Sequence, residues 1–301
     1  MPAATLFNEK IRDVLDLSKS GIVTLVLIAG VAGYLMGQPL SAPLDWLNLI
    51  RTLTGILLLS SGSAALNQIQ EQDLDARMKR TSARPLPSKR LTTTSAVTWS
   101  LGSTGLGLIL LAFGAWQVTV LGALAMLLYN GMYTLWWKPK WAYAAVPGAI
   151  PGALPILMGY AAANGGAALT PGGLYLFLIL FYWQMPHFWA LAIRYREDYR
   201  AGGIPTLPVA HGVPTTVRQI VIWTFGYLAL ALLGPRVLGL SWIYFAVAAA
   251  TSAQVLHKLW KFVKEPESDQ WLPFFLWTTF SLIIFLGAAV VDRWSHVFAR
   301  L

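Results

Sequence analysis

The sequence contains no cysteine, and charged residues make up only 12% of its 301 positions. The lack of cysteine excludes disulfides, thiolate catalysis and cysteine-ligated metal clusters. A soluble domain of this length carries about 25% charged residues, whereas 56% of this chain is hydrophobic. Strand-length segments of alternating polarity are also missing, which argues against a membrane β-barrel. The composition therefore predicts an all-α integral membrane protein.

Nine apolar segments are long enough to cross a bilayer, which takes about 20 residues for a helix. They cover residues 20–37, 46–66, 95–113, 116–135, 143–162, 171–193, 219–238, 240–257 and 271–291. No soluble domain or linker interrupts the series. The sequence thus predicts one membrane domain, residues 1–301, folded as a bundle of nine transmembrane helices.

Basic residues are concentrated in alternate connections between these segments. All but four of the 22 lysines and arginines lie in the N-terminal segment and in the second, fourth, sixth and eighth connections. Because cytoplasmic loops carry an excess of Lys and Arg, we expect a cytoplasmic N-terminus and an extra-cytoplasmic C-terminus. The net charge of +9 then reflects topology, so nucleic-acid binding is not expected. No signal peptide or transit-like leader is evident, which favours a plasma (inner) membrane location.

The second apolar segment runs directly into a charged stretch, residues 67–88, NQIQEQDLDARMKRTSARPLPS. If its helix continues, Asn67, Glu71 and Asp75 lie one turn apart on one face, and Asp73 lies off that face. Oxygen ligands at this spacing suit Mg²⁺, which often bridges carboxylates to substrate phosphates. Nearby arginines can balance the rest of a phosphate's charge. The alternative is a solvated loop whose charges pair with one another.

A second stretch of mixed charge follows the sixth apolar segment. Arg194, Glu197 and Asp198 lie at the helix end, and His187 lies within the segment. A polar group inside a spanning helix is costly unless it faces a cavity or a partner. Two acidic, arginine-rich helix ends on the same membrane face can converge on one pyrophosphate through metal ions. A hydrogen-bonded packing role is the alternative for His187.

Several motifs resemble a known family. The first stretch, with its RTSARPLP run at 80–87, resembles the first Asp-rich motif of the UbiA-type intramembrane prenyltransferases. Three further runs are similar to the protohaem IX farnesyltransferase (haem O synthase) branch of that family: YTLWWK at 133–138, QMPHFWALAI at 184–193 and GIPTLPV at 203–209. The sequence departs from the superfamily pattern at Glu71, where an Asp is usual, and at Tyr195 and Tyr199, where many relatives with aromatic acceptors carry Asp.

The resemblance implies a nine-helix bundle with a central cavity that opens to the cytoplasmic side. It implies prenyl transfer from farnesyl diphosphate to the vinyl group of haem b, giving haem o, with Mg²⁺ assisting the departure of diphosphate. The expected catalytic and metal-binding residues are Asn67, Glu71, Asp75 and Asp198. The expected substrate-binding residues are Arg80, Arg84, Lys138, Tyr133, His187, Glu197 and Arg194. Membrane lipid is an expected partner, and haem a synthase or a terminal oxidase is a further candidate.

Three other interpretations stay open. A UbiA-type prenyltransferase with a different aromatic or quinone-precursor acceptor would keep the first motif, but the His187 segment argues against it. A transporter usually binds its substrate near the bilayer midplane on broken helices, whereas the acidic residues here lie at helix ends. A structural subunit for oxidase assembly predicts that Asp75→Asn is silent, whereas an enzyme predicts a severe loss.

Overall fold

The protein is helical throughout the part that the computed structural model describes, residues 3–298, with side chains described from residue 9 to 295. No strand occurs between residues 3 and 298. The helices are α1 Ala3–Leu17, α2 Ser20–Gly37, α3 Trp46–Gln70, α4 Gln72–Arg77, α5 Thr93–Ala112, α6 Trp116–Met126, the π-helix Leu127–Trp137, α7 Lys138–Lys140, α8 Ala145–Ala163, α9 Pro171–Arg194, α10 Arg196–Ala201, α11 Leu207–Ala210, α12 Gly212–Leu232, α13 Gly234–Leu238, α14 Trp242–Lys264 and α15 Trp271–Phe298.

Eight helical units in the described range are long and apolar enough to cross a membrane. They are α2, α3, α5, the continuous unit Trp116–Lys140, α8, α9, α12 and α15. The prediction of an all-helical membrane protein is confirmed. The 23-residue α14 has the length of a ninth crossing but is less apolar than these eight. The predicted number of nine crossings therefore stays a prediction.

The seventh helix differs most from its predicted bounds. Hydropathy placed it at 219–238, whereas α12 runs from Gly212 to Leu232 and the short α13 follows. The first turns of α12 contain Thr215, Thr216 and Arg218, which continue the helix without being apolar. Helical hydrogen bonding does not require apolar side chains, so a hydropathy pattern misses such polar turns.

Glycines allow α2 and α8 to pack with their backbones in contact. A Cβ atom added at Gly33 would overlap the carbonyl oxygen of Ile156, and one added at Gly159 would overlap the carbonyl oxygen of Gly30. In membranes, where lipid is as apolar as the side chains, such close approach supplies much of the attraction between helices. The α8 helix also contains Pro151 and Pro155 in its interior.

Replacing Gly33 by Ala should therefore destabilise the bundle. We expect the apparent Tm in detergent to fall by several degrees, because overpacking a tight contact costs about 1–3 kcal/mol. Gly105→Ala is the matched control, since a Cβ added at Gly105 meets no atom within 4 Å. Its Tm should stay level or rise, because Ala forms helix better than Gly by about 0.5–1 kcal/mol. Equal losses in both variants would contradict the close contact.

The ends of several helices meet on one side of the bundle. Lys19, which precedes α2, contacts Asn67 near the end of α3. Lys138, at the end of the fourth long unit, contacts Glu71 just beyond α3. The loop after α4 also contacts α10, which follows α9. This arrangement agrees with the alternation of basic connections, while the identity of the membrane side stays a prediction.

Candidate functional site

Three polar residues at the end of α3 and within α4 are buried. As whole residues, Asn67, Glu71 and Asp75 are 1%, 3% and 1% exposed. The helix is interrupted at Glu71, whose φ of −105° and ψ of 10° leave the α region, so α3 does not continue unbroken into the charged stretch. The amide of Glu71 still donates to the carbonyl of Asn67, and the amide of Asp75 donates to the carbonyl of Glu71. The one-turn spacing therefore persists across the break.

Each buried carboxylate forms an ion pair with a cation from elsewhere in the chain. Asp75 Oδ2 lies 2.6 Å from an Arg84 guanidinium nitrogen, and Glu71 Oε1 lies 2.5 Å from Lys138 Nζ. The loop is fixed further by Thr81, whose hydroxyl donates to the Asp75 carbonyl over 2.9 Å. A buried ionised carboxylate needs such a partner, because its desolvation cost is otherwise too large. Glu71, Asp75, Arg84 and Lys138 thus form a buried charged cluster.

Asn67 joins this cluster to two further helices. Its Oδ1 accepts a hydrogen bond from the Lys19 ammonium group, and its Nδ2 donates to Thr134 Oγ1 over 2.9 Å. Lys19 also lies 3.4 Å from the Tyr129 hydroxyl. Burial lowers the pKa of Lys19 to about 7, and the neighbouring Arg84 adds to the decrease. The Lys19 backbone has a φ of 51°, a left-handed conformation that is uncommon for residues other than glycine.

Sequence reasoning missed Lys19 as a site residue. A cation directly before the first apolar segment looks like an ordinary topological charge, because such cations flank most membrane helices. Its long-range contact with Asn67 leaves no local signal in the sequence. Lys19 adds a third basic side chain, beside Arg84 and Lys138, to the surroundings of the Glu71 and Asp75 carboxylates.

A π-helix forms the wall opposite α3. Tyr129 and Tyr133 stack with their ring centroids 6.0 Å apart, and Thr134 is buried beside Asn67. The buried Asn130 donates to the carbonyl of Ser63 over 2.9 Å and so ties the π-helix to α3. π-Helices are rare in proteins. Most are single turns within α-helices, and many of these lie at functional sites. The π-helix Leu127–Trp137 places Tyr133, which was expected to bind substrate, one turn before Lys138.

The second predicted stretch meets the first through two hydrogen bonds, one of them from the Arg80 guanidinium to the Tyr199 hydroxyl over 3.5 Å. Asp198 Oδ2 accepts from the backbone N–H of Arg80 over 3.1 Å. The Arg80 guanidinium carbon lies 5.1 Å from the Tyr195 ring centroid and 5.8 Å from that of Tyr199, which are cation–π distances. The structure thus brings Arg80 and Asp198 together across two loops 118 residues apart in sequence.

Two other predicted residues lie away from the buried cluster. Glu197 is exposed and lies 2.5 Å from Arg200, whose guanidinium lowers the pKa of the Glu197 carboxyl. Arg194 is also exposed, with its guanidinium carbon 5.9 Å from the Trp271 ring centroid. Their substrate-binding role stays a prediction.

An opening lies between the π-helix, α9 and the loop that leads to α11. Its lining includes Tyr133, Lys138, Phe188, Tyr199 and Thr206. The lining therefore combines one lysine with several aromatic rings. The Thr206 hydroxyl is buried and has no hydrogen-bond partner among the described residues. The space enclosed there is about 10 Å³, so a substrate would enter only if these side chains moved apart.

The carboxylates of the cluster are suited to a hydrated divalent ion. Within residues 9–295, no three Asp, Glu or His side chains converge on one point as a preformed metal site. Mg²⁺ usually keeps several waters and takes only one or two carboxylates together with substrate phosphates. Asp75 Oδ1 is buried and accepts no hydrogen bond from the described part of the chain. That oxygen and the side-chain oxygens of Asn67 and Glu71 are donors of the kind that fit Mg²⁺ with a diphosphate.

His187 is a partly buried residue of α9 that packs against α15. Its ring stacks between Phe275 and Trp183, at centroid distances of 4.0 and 4.8 Å. Its Nδ1 lies 3.2 Å from Thr278 Oγ1 and 3.3 Å from Thr279 Oγ1. The sequence predicted a polar role within α9, but it gave no indication of the partners on α15.

A model of one protein family matches residues 7–286, which is most of the chain: that of the UbiA prenyltransferase family. The chain belongs to the UbiA prenyltransferase family. It is therefore an enzyme that transfers prenyl groups and a multi-pass membrane protein, as its first Asp-rich motif implied.

Curated relatives extend over almost the full length of this UbiA protein. The chain is 44% identical to a protoheme IX farnesyltransferase from Bdellovibrio bacteriovorus, over 94% of this chain and 97% of the relative. It is 37% identical to a protoheme IX farnesyltransferase from Aquifex aeolicus, over 94% and 95% of the two chains.

Solved structures share the fold of this UbiA chain. A structure of digeranylgeranylglyceryl phosphate synthase matches with a TM-score of 0.75 at 19% identity, covering 94% of this chain and 98% of the other. A UbiA homologue from Archaeoglobus fulgidus bound to DMAPP and Mg²⁺ matches with a TM-score of 0.64 at 16% identity, covering 93% and 99%. At these identities the likeness confirms the UbiA fold alone.

Proposed function

We propose that this UbiA-family enzyme transfers the farnesyl group of farnesyl diphosphate to the vinyl group of haem b, giving haem o. The observation that carries the proposal is the 44% identity to the protoheme IX farnesyltransferase of Bdellovibrio bacteriovorus, which extends over both chains. The His187 segment, which resembles the same branch, supports the choice of acceptor.

The buried charged cluster is the proposed diphosphate site. Asn67, Glu71, Asp75 and Asp198 are the residues that would hold Mg²⁺, which when bound supplies positive charge at the leaving diphosphate. The A. fulgidus homologue bound to DMAPP and Mg²⁺ supports this choice of ion.

The cations of the cluster are proposed to neutralise the charge of the leaving group. As the C–O bond of an allylic diphosphate breaks, negative charge grows on the leaving group and must be neutralised in place. In this structure Arg84 pairs with Asp75 and Lys138 pairs with Glu71. We propose that the Arg84 guanidinium and the Lys138 ammonium group turn to phosphate oxygens when substrate binds. Arg80, already next to Asp198, would reach the same phosphates.

The aromatic residues that line the opening are proposed to contact the prenyl chain and the acceptor. The face of Tyr133 would shield the allylic cation, since aromatic rings attract positive charge. The terminal carbon of the haem vinyl group then forms the new bond to the first farnesyl carbon. Water adds to the cationic carbon next to the porphyrin and releases a proton, so the overall reaction yields haem o and pyrophosphate. His187 is proposed to contact the haem.

The cellular setting is proposed from the charge pattern. With the basic connections in the cytoplasm, the N-terminus and the diphosphate site face the cytoplasm and the C-terminus lies outside, in a plasma (inner) membrane. Delivery of the product to haem a synthase or to a terminal oxidase stays a prediction.

The acceptor can be tested with purified protein in phospholipid vesicles. We expect farnesylated haem, detected by mass, when Mg²⁺, farnesyl diphosphate and haem b are supplied. No prenylated product is expected when 4-hydroxybenzoate replaces haem b. The opposite result, prenylated hydroxybenzoate and unchanged haem b, would replace the proposed acceptor with an aromatic acid and keep the UbiA chemistry.

A further inference from the structure

Two threonines of α15 converge on one nitrogen of His187. Thr278 Oγ1 lies 3.2 Å and Thr279 Oγ1 lies 3.3 Å from His187 Nδ1, across 91 and 92 positions in the sequence. Thr278 is fully buried, and Thr279 is partly buried. Neither residue belongs to the stretches that the family resemblance rests on.

The direction of these hydrogen bonds follows from the other partners of the two hydroxyls. Thr278 Oγ1 donates to the carbonyl of Phe275 over 2.7 Å, and Thr279 Oγ1 donates to the same carbonyl over 3.2 Å. Each hydroxyl has a single hydrogen, so both oxygens are left as acceptors toward the imidazole. With this pairing, His187 Nδ1 carries a proton and donates it to the two oxygens. In a neutral imidazole this leaves Nε2 unprotonated, with a free lone pair.

The orientation of the ring is also fixed. Phe275 and Trp183 cover its two sides with interplanar angles of 26° and 28°. The indole N–H of Trp183 donates to the carbonyl of Thr278 over 2.9 Å, which ties α9 to α15 at the same point. His187 Nε2 makes no hydrogen bond with the residues that the structure describes. These contacts hold the ring in one plane and leave Nε2 without a hydrogen-bond partner.

We infer that Thr278 and Thr279 are positioning residues for haem: they hold His187 in the Nδ1–H tautomer so that Nε2 binds the iron of the haem substrate. Histidines that bind metals almost always donate their other N–H to an oxygen acceptor, which sets the tautomer and raises the basicity of the ligand. The inference rests on the proposed function, because it takes haem b as the acceptor. If His187 had only a structural role, loss of the Nδ1 hydrogen bonds would affect packing and would leave the affinity for haem unchanged.

The test is a titration of haem b into the purified protein without farnesyl diphosphate, followed by the absorption spectrum of the bound ferric haem. We expect wild type to give the spectrum of a histidine-ligated haem, and His187→Ala to lose it. The double variant Thr278→Val with Thr279→Val should weaken haem binding about 10-fold, as is typical when the outer partner of a ligating histidine is removed. The double serine variant keeps both hydroxyls and should restore the wild-type affinity and spectrum.

Thr224→Val is the matched control for the loss of a buried threonine hydroxyl. Thr224 is buried on α12, and its hydroxyl donates only to the carbonyl of Ile220, four residues earlier. This variant should bind haem like wild type. A double valine variant with unchanged haem affinity and spectrum would overturn the inference, as would a His187→Ala protein with the wild-type spectrum.

The titration separates this inference from the proposed function. Haem ligated through His187 without any farnesylated product would contradict the farnesyl transfer and support the inference. Farnesylated haem from wild type, together with an unchanged haem spectrum in the double valine variant, would contradict the inference and leave the proposed function intact.

Discussion

Asp75→Asn should lower the rate of farnesyl transfer about 100- to 1,000-fold, the loss seen when one preorganised charge-stabilising group is removed from an active site. Asn has nearly the same shape as Asp, so the change removes charge and little volume. Asp75 is buried, pairs with Arg84 through Oδ2 and has an unpartnered Oδ1. Neutralising it removes a proposed ligand for Mg²⁺ and the anion that pairs with Arg84. The measurement is the rate of farnesylated haem formation in vesicles at saturating substrates.

Asp73→Asn is the control for this variant. Asp73 lies on the same short helix, two residues earlier, but its side chain is exposed. The same chemical change there should leave the rate within about twofold of wild type, since exposed substitutions away from a site have small effects. Equal losses in the two variants would show that the loop as a whole, and not the buried carboxylate, is what activity requires.

Lys138→Met should reduce kcat/KM about 100-fold, because it removes a cation from the proposed diphosphate site. It has a second expected effect: Glu71 is left buried without its partner. Removing one member of a buried ion pair costs about 3–5 kcal/mol of stability. The lower end applies here, since part of the Lys138 side chain is exposed. The two effects are separated by measuring kcat/KM and the apparent Tm on the same preparation.

Two further variants make the Lys138 result interpretable. Adding Glu71→Gln to Lys138→Met removes the unpaired charge, so the Tm should recover while kcat/KM stays low. Lys140→Met changes an exposed lysine two residues away and should alter neither quantity. If the double variant regained activity along with stability, Lys138 would be a structural partner of Glu71 and not a phosphate-binding residue.

Much of the site could be predicted because its residues repeat at a helical spacing. Asn67, Glu71 and Asp75 lie one turn apart, and local hydrogen bonding keeps them so even though the helix breaks at Glu71. The membrane fold was predictable for the same reason: long apolar segments leave few alternatives to helices, because backbone polar groups in lipid must bond within their own segment.

The residues that escaped prediction are those joined by long-range contacts. Lys19 reaches Asn67 across 48 positions, and Thr278 reaches His187 across 91. Neither contact has a spacing that a local pattern can reveal. The π-helix was also missed, since its side chains have the composition of an ordinary apolar helix and only the backbone hydrogen bonding distinguishes it. Tertiary packing, not local preference, decides these features.

The most direct test of the account is the mass of the haem extracted from cells that express the wild-type chain, Asp75→Asn or Asp73→Asn. Farnesylated haem from wild type and Asp73→Asn, with only haem b from Asp75→Asn, is the result that the account predicts. Unaltered haem b in all three, with each protein folded in the membrane, would contradict haem o formation and direct the search to another prenyl acceptor.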